Sequence, residues 1–270
     1  MRRCGSAVAM ALVALVCAAA AQGPKFYNPG YNFFSPQQDV QAGRQAEAQE
    51  LAKLPMLRDS AAEKYVTQLG LKLDQQMPGP KFPYRFHIVD SKDINAFALP
   101  GGAVFVNKGA ICAAANEAQL AGVMAHEESH VALRHSTHMA SQQALYSVPL
   151  AIFGNTLGSG TGANVARLAA QIGVQAMFLK YSRTDESQAD ALGAQVMSNT
   201  GYDPRQMAEF FQKLEAQPGS SNLQFLSDHP NPGNRMQAIE REIPELGPHP
   251  PYQDNSPQFA GIHGRLCGGH

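Results

Sequence analysis

The sequence predicts an α+β fold, mainly helical, with one small β-sheet set beside a long central helix. Three observations lead there. Strand patterns are confined to residues 84–107, helical periodicity lies on both sides of them, and the last strand runs into a helix with a start signal and an inward stripe.

Residues 1–21 read as a secretory leader outside the fold. Arg2 and Arg3 form a charged start, Ala7 to Cys17 an apolar core, and the alanines before Gln22 an A-x-A cleavage site. The apolar run is short for a membrane span, and Ala14-Leu15-Val16 is a poor lipid-attachment signal ahead of Cys17. The expectation is an exported, periplasmic protein, soluble or in peripheral contact with a membrane.

Residues 22–36, rich in Gly, Pro, Asn and aromatics, read as an extended lead-in, and helical patterns follow at 37–54 and 60–77. Residues 84–90, 96–99 and 103–107 then read as strands, the last two joined by Pro100-Gly101-Gly102, so a sheet of hairpin type is expected. A helix over 117–137 takes Asn116 as N-cap with Gln119 three residues on, and turns Leu120, Val123, Met124 and Val131 inward. Further helices are expected near 139–153, 163–180, 184–199, 204–216 and 232–243. The apolar stretch Leu145 to Phe178 is broken by Pro149, Gly154, Asn155, the glycines at 158–162, Asn164 and Arg167. No apolar run of about 18 residues survives there, so two buried helices with a glycine loop are expected, a lid over the site being the alternative. From 244 to 270 the Pro- and Gly-rich tail reads as irregular.

With a formal net charge of −1 and no basic stripe, nothing points to nucleic acid. Of four cysteines, Cys4 and Cys17 fall in the leader. Cys112 and Cys267 would be free to bridge in an oxidising compartment, but the sequence does not say that they meet. Neither lies in a CxxC, which excludes a cysteine zinc site.

The chemistry is concentrated in Ala125-His126-Glu127-Glu128-Ser129-His130, an HExxH pattern inside the central helix. Four residues apart, His126 and His130 share one helical face, and Glu127 lands beside them. Three ionisable groups on a buried arc are costly unless paired or bound to a cation. One Zn²⁺ per chain is the expected cofactor. Two histidines under-coordinate it, and a metzincin continuation fails because Leu133 and Ser136 stand where glycine and histidine are needed. Glu186 and Asp190 share a face of a later helix with Thr184 as its N-cap, so Glu186 is the candidate third ligand and Asp190 the acceptor of a ligating histidine's ring N–H. The alternative is that Asp185 and Glu186 merely complement a helix dipole. Glu127 is the candidate general base, acting on water whose pKa the metal lowers. Glu128 is expected to face away, and His135 and His138 to be partly solvated.

Four ordered motifs then resemble the M48 metallopeptidases, a gluzincin family with a zincin-like domain. They are the HExxH; Ser182-Arg183 with the E-x-x-A-D of Glu186, Ala189 and Asp190; Asn95-Ala96-Phe97-Ala98-Leu99-Pro100-Gly101-Gly102; and Asp228-His229-Pro230 with Arg235. The resemblance implies a peptidase domain over 37–243. It implies an exported zinc endopeptidase whose partner is polypeptide, namely unfolded, misassembled or membrane-associated protein. Family membrane spans are not visible, which resembles the periplasmic small lipoprotein-like and BepA-like branch, and no tetratricopeptide repeat of the latter is seen.

In relatives, the residue that His229 resembles can ligate zinc at rest, which would make the Asp228 to Arg235 loop a plug. His229 is also the candidate oxyanion donor, with Tyr181 and Arg183 as alternatives and a packing histidine as the plain reading. Substrate is expected to pair with Ala103, Val104 and Phe105, taken as a strand edge running to Val106. Asn95 either orients a peptide carbonyl or ties the turn. The rival function is a chaperone-like or assembly-binding protein, proteolytically latent behind His229. Natural substrate, cleavage preference and oligomeric state are not legible in the sequence.

Overall fold

Short polar residues open the helices where the sequence places them. Ser35 and Gln38 close a reciprocal capping box at the head of α1 (Pro36–Lys53), and the Asp59 carboxylate accepts the N–H groups of Ala61 and Ala62 to start α2 (Ser60–Asp74). The structure, a computed structural model, describes residues 27, 28, 30–147, 180–216, 224–231 and 233–268, with backbone only at 145–147. The expected leader, residues 22–26 and 29 of the lead-in, all but the last residue of the helix expected near 163–180, and the apolar stretch from residue 148 to Phe178 lie outside the described residues. Among the described residues no helix is long and apolar enough to cross a membrane.

Three strands follow: β1 (Arg85–Val89), β2 (Ala96–Leu99) and β3 (Ala103–Asn107). Their order is β1-β3-β2. The expected hairpin is present between β2 and β3, its turn made by Gly101 at φ 73° and Gly102 at φ 104°, a region open to glycine. The third strand differs from a hairpin, because β1 runs parallel to β3, Arg85 opposite Ala103. This overturns Ala103, Val104 and Phe105 as a substrate edge. β3 is the central strand, its backbone paired on both sides and all five residues buried, while β1 and β2 are the outer strands.

One sheet face, carrying Val89, Leu99, Ala103 and Phe105, packs under Ala42 and Ala46 of α1. The other, with Phe86, Ile88, Ala98, Val104 and Val106, joins the main core against α2 and the central helix. This is the alternation that a pleated strand dictates.

After the short α3 (Lys108–Ala113), Asn116 accepts the N–H of Gln119 at 2.9 Å and starts α4 (Glu117–Ala132), every residue of which is buried. Burying side chains such as Leu120, Val123 and Met124 stabilises by about 1.5–3 kcal/mol each. A Cβ at Gly122 would stand 2.6 Å from Met207 Cβ, so the missing side chain lets a neighbouring helix close on α4. The helix ends earlier than expected. Arg134, held by the Asp39 carboxylate and the Phe34 carbonyl, takes a left-handed φ of 60°, and a separate α5 (His135–Ser147) begins.

The carboxylate helix α6 (Arg183–Thr200) is capped by Ser182 in a box with Asp185, two residues before the expected Thr184 cap. It lies along α4, with α7 (Arg205–Glu215) beside it. The five-residue α8 (Gln224–Asp228) and α9 (Arg235–Glu242) complete this side. The tail expected to be irregular contains α10 (Pro257–Cys267). Ser256 caps it, Phe259 and Ile262 bury, and Cys267 is disulfide-bonded to Cys112 of α3, which is why the segment orders.

Candidate metal centre

The i, i+4 spacing on α4 sets His126 Nε2 and His130 Nε2 3.1 Å apart, both rings buried. α6 crosses above and lowers Glu186 between them, with Oε2 3.3 Å from His126 Nε2 and Oε1 3.5 Å from His130 Nε2. His229, at the end of α8, adds Nδ1 at 3.1 Å from Glu186 Oε1 and 3.2 Å from His126 Nε2. One ligand atom from each of the four residues falls within 4.8 Å of all the others, a group able to hold a metal ion.

Donor chemistry tests whether a cation fits. Asp190, one turn beyond Glu186, lies 3.0 Å from His126 Nδ1, so that nitrogen carries the ring proton and Nε2 turns a lone pair inward. A second imidazole nitrogen and a carboxylate face the same point. Such converging lone pairs repel one another in a dry site unless a cation lies among them, and three imidazoles with one carboxylate suit zinc.

Electrostatics agree with a site built around positive charge. Burial alone would push His126 down, yet Glu186 and Asp190 together raise it above the ordinary imidazole range. Burial would raise Glu186, and His229 and His126 instead hold it well below the usual carboxylate range. Arg235, opening α9, reaches Glu186 Oε2 at 2.8 Å and Asp190 Oδ2 at 3.3 Å while lying over the Phe211 ring. The sequence offers Arg235 only as a motif residue; its clamp on both carboxylates appears when α9 folds back on α6.

Glu127 is fully buried, with His229 Nε2 3.3 Å from Oε1 and the Ala98 backbone N–H beside its carboxylate. Burial pushes its carboxyl up to about 7, the nearby Glu186 charge adding to this and His229 opposing it. A carboxyl poised there suits proton transfer near neutral pH.

The remaining candidates divide. Tyr181 brings its ring onto His130, centroids 3.8 Å apart, while its hydroxyl is paired with Ser136 Oγ at 2.9 Å. Arg183 is exposed and stands outside the group, because the earlier cap makes it the first helical residue. Asn95 is buried just before β2; its backbone carbonyl takes the Asn107 N–H and its Oδ1 has no partner among the described residues. Glu128 stays outside the ligand group; burial and then Asp74 push its carboxyl well above the ordinary range. His135 and His138 are buried, against expectation, because the bend at Arg134 folds α5 inward. His138 Nδ1 donates to the Tyr31 carbonyl at 2.9 Å, and His135 Nδ1 lies 2.9 Å from His130 Nδ1.

Residues 60–243 match the family model described as peptidase family M48. The chain belongs to peptidase family M48. All four residues of the ligand group lie inside the M48 match. The M48 relatives include the beta-barrel assembly-enhancing protease of Yersinia pestis, 33% identical over 219 residues, covering 77% of this chain and 44% of the relative. The protein of the same name from Escherichia coli (strain K12) is 31% identical over 220 residues, covering 78% and 45%. The mitochondrial metalloendopeptidase OMA1 of Bos taurus is 33% identical over 195 residues, covering 68% and 37%. The chain thus spans less than half the length of these curated relatives.

Proposed function

We propose that this M48 chain is an exported zinc metalloendopeptidase that hydrolyses peptide bonds of unfolded, misassembled or membrane-associated proteins. One observation carries the reading: His126, His130, Glu186 and His229 turn their donor atoms to one point, with the buried carboxylate of Glu127 beside it, 3.3 Å from His229 Nε2. The peptidase domain is taken as 37–243. Membrane-associated substrates are supported by a relative named for beta-barrel assembly, and export by the Cys112–Cys267 disulfide, which persists in oxidising compartments.

His126, His130 and Glu186 would hold the zinc, and Asp190 would fix the His126 tautomer. A zinc ion bound there supplies Lewis acidity to the attacking water and to the scissile carbonyl. Glu127 takes the proton of the attacking water on a carboxylate oxygen and returns it to the leaving amine nitrogen. The outer strand β2, whose Ala98 backbone lies next to Glu127, presents main-chain groups that fix an extended peptide without reading its side chains. Asn95, just before that strand, would orient a carbonyl of the same peptide or tie the turn. His229 lies within the ligand group, so the loop from Asp228 to Arg235 acts as a plug that substrate displaces, after which His229 is free to donate to the oxyanion.

That same position of His229 favours a second reading, a proteolytically latent protein that binds assembly intermediates. Peptide-library cleavage by purified protein, with and without chelator and beside Glu127→Gln, separates the two. Chelator-sensitive cleavage lost in Glu127→Gln supports the peptidase; no cleavage by zinc-loaded wild type, with client binding intact in both proteins, supports the latent binder.

A further inference from the structure

His135 is a fully buried histidine for which the peptidase reaction has no step. It opens α5 directly after the left-handed Arg134. The bend matters, because on a continuous helix a residue five positions after His130 would point about 140° away from it. Instead, His135 Nδ1 stands 2.9 Å from His130 Nδ1, and His135 Nε2 lies 3.1 Å from Gln188 Oε1 on α6. The same Nε2 is 3.8 Å from the Asp185 carboxylate.

Counting protons along this chain gives one arrangement. A carboxamide oxygen and a carboxylate only accept, so the proton of His135 sits on Nε2. Its Nδ1 then offers a lone pair, which accepts the Nδ1–H of His130. His130 is left with its lone pair on Nε2, the atom that faces Glu186 and His126. The alternative tautomer of His130 would turn an N–H into the ligand group and leave two lone pairs opposed at 2.9 Å.

We infer that His135 is a positioning residue of the metal centre, which fixes the ring orientation and tautomer of His130 through a chain running from Gln188 to His135 to His130. The inference rests on the metallopeptidase reading. It makes the two histidines of the motif unequal. Asp190, an anion, backs His126, whereas a neutral imidazole backs His130, so His130 is the weaker donor and the one more dependent on its support.

The test uses histidine ¹⁵N-labelled, zinc-loaded protein, with long-range ¹H–¹⁵N correlations to read tautomers and chelator competition to read zinc affinity. Wild type is expected to show His135 protonated on Nε2 and His130 on Nδ1. His135→Phe removes the acceptor while keeping a ring, and zinc affinity is expected to fall about 10–100-fold. His135→Asn, whose Oδ1 falls where Nδ1 stood, is expected to recover most of that loss, which a merely space-filling role would not give. Gln188→Leu leaves His135 in place but frees its Nε2; it is expected to weaken zinc binding and populate the other His135 tautomer, and it serves should His135→Phe fail to fold. His135 protonated on Nδ1 in wild type, or zinc bound as tightly by His135→Phe or Gln188→Leu as by wild type, overturns the inference and leaves the peptidase reading standing. Wild type that holds no zinc overturns both.

Discussion

Breaking the Cys112–Cys267 disulfide is a perturbation whose size follows from the fold. The two residues are 155 apart in sequence, with Cα atoms 5.5 Å apart. Closing a loop of that length in the unfolded chain removes entropy worth about 5 kcal/mol in the chain-entropy model. Native contacts that keep α10 docked after cleavage do not enter that figure: the Ser256 hydroxyl on Glu117, Arg265 on Asp59 at 2.9 Å, and the buried Phe259 and Ile262. Replacing both cysteines (C112A/C267A) should therefore lower stability by about 2–5 kcal/mol while leaving the native fold in place. With a urea slope of about 3 kcal/mol/M, the unfolding midpoint falls by roughly 0.7–1.7 M. Equilibrium urea unfolding of the oxidised wild type and the double variant, at matched zinc, reads this directly. Peptide cleavage at low urea should be unchanged, because neither cysteine belongs to the ligand group. An unchanged midpoint, or alkylation of Cys112 and Cys267 as free thiols in the native wild type, would refute the reasoning.

Glu127→Gln should lower kcat/KM on a peptide substrate by about 10²–10⁴-fold with zinc content unchanged, measured by cleavage kinetics and elemental analysis. Arg235→Met strips the cation from the Glu186 and Asp190 carboxylates, and an unpaired buried charge costs about 3–5 kcal/mol; urea unfolding should show that loss with chelator and a smaller one with zinc, which itself compensates Glu186. At Glu47 burial pushes the carboxyl up, but hydrogen bonds from Arg85 and His87 prevail and hold it below the ordinary range. A depressed carboxyl contributes stability above its unfolded pKa and loses it as pH falls through the folded one. Glu47→Gln should thus cost about 1 kcal/mol at neutral pH and almost nothing in strong acid, read by thermal or urea unfolding across pH.

What the sequence made legible was local periodicity. The cap at Asn116, the stripe on α4 and the apolar runs of β2 and β3 are written in consecutive residues, and the helix period alone put His126 and His130 on one face. Glu186 and Asp190 were within reach for the same reason, one turn apart on a capped helix. Contacts set by chain reversal were hidden. Nothing in Ala103 to Asn107 says that β1 pairs with it in parallel, so β3 reads as an edge; its unbroken apolar run, which marks a strand covered on both faces, is the signal that it is not. His135 and His138 were expected near solvent because the central helix was extended through Arg134, and only the Asp39 and Phe34 contacts, far away in sequence, turn that residue left-handed. The composition of the tail masked α10, although Ser256 followed by Pro257 is a helix-start signal.

The central claim is that His126, His130 and Glu186 of this chain hold a single zinc ion, which His229 also meets until substrate displaces it. X-ray absorption at the zinc edge of the purified protein, with elemental analysis of the same sample, tests it most directly. The account predicts one zinc per chain in a shell of nitrogen and oxygen only, with imidazole scattering that diminishes in His229→Ala and metal content that collapses in His126→Ala. Protein without stoichiometric zinc, or zinc whose shell is unchanged when His126 or Glu186 is replaced, would contradict it.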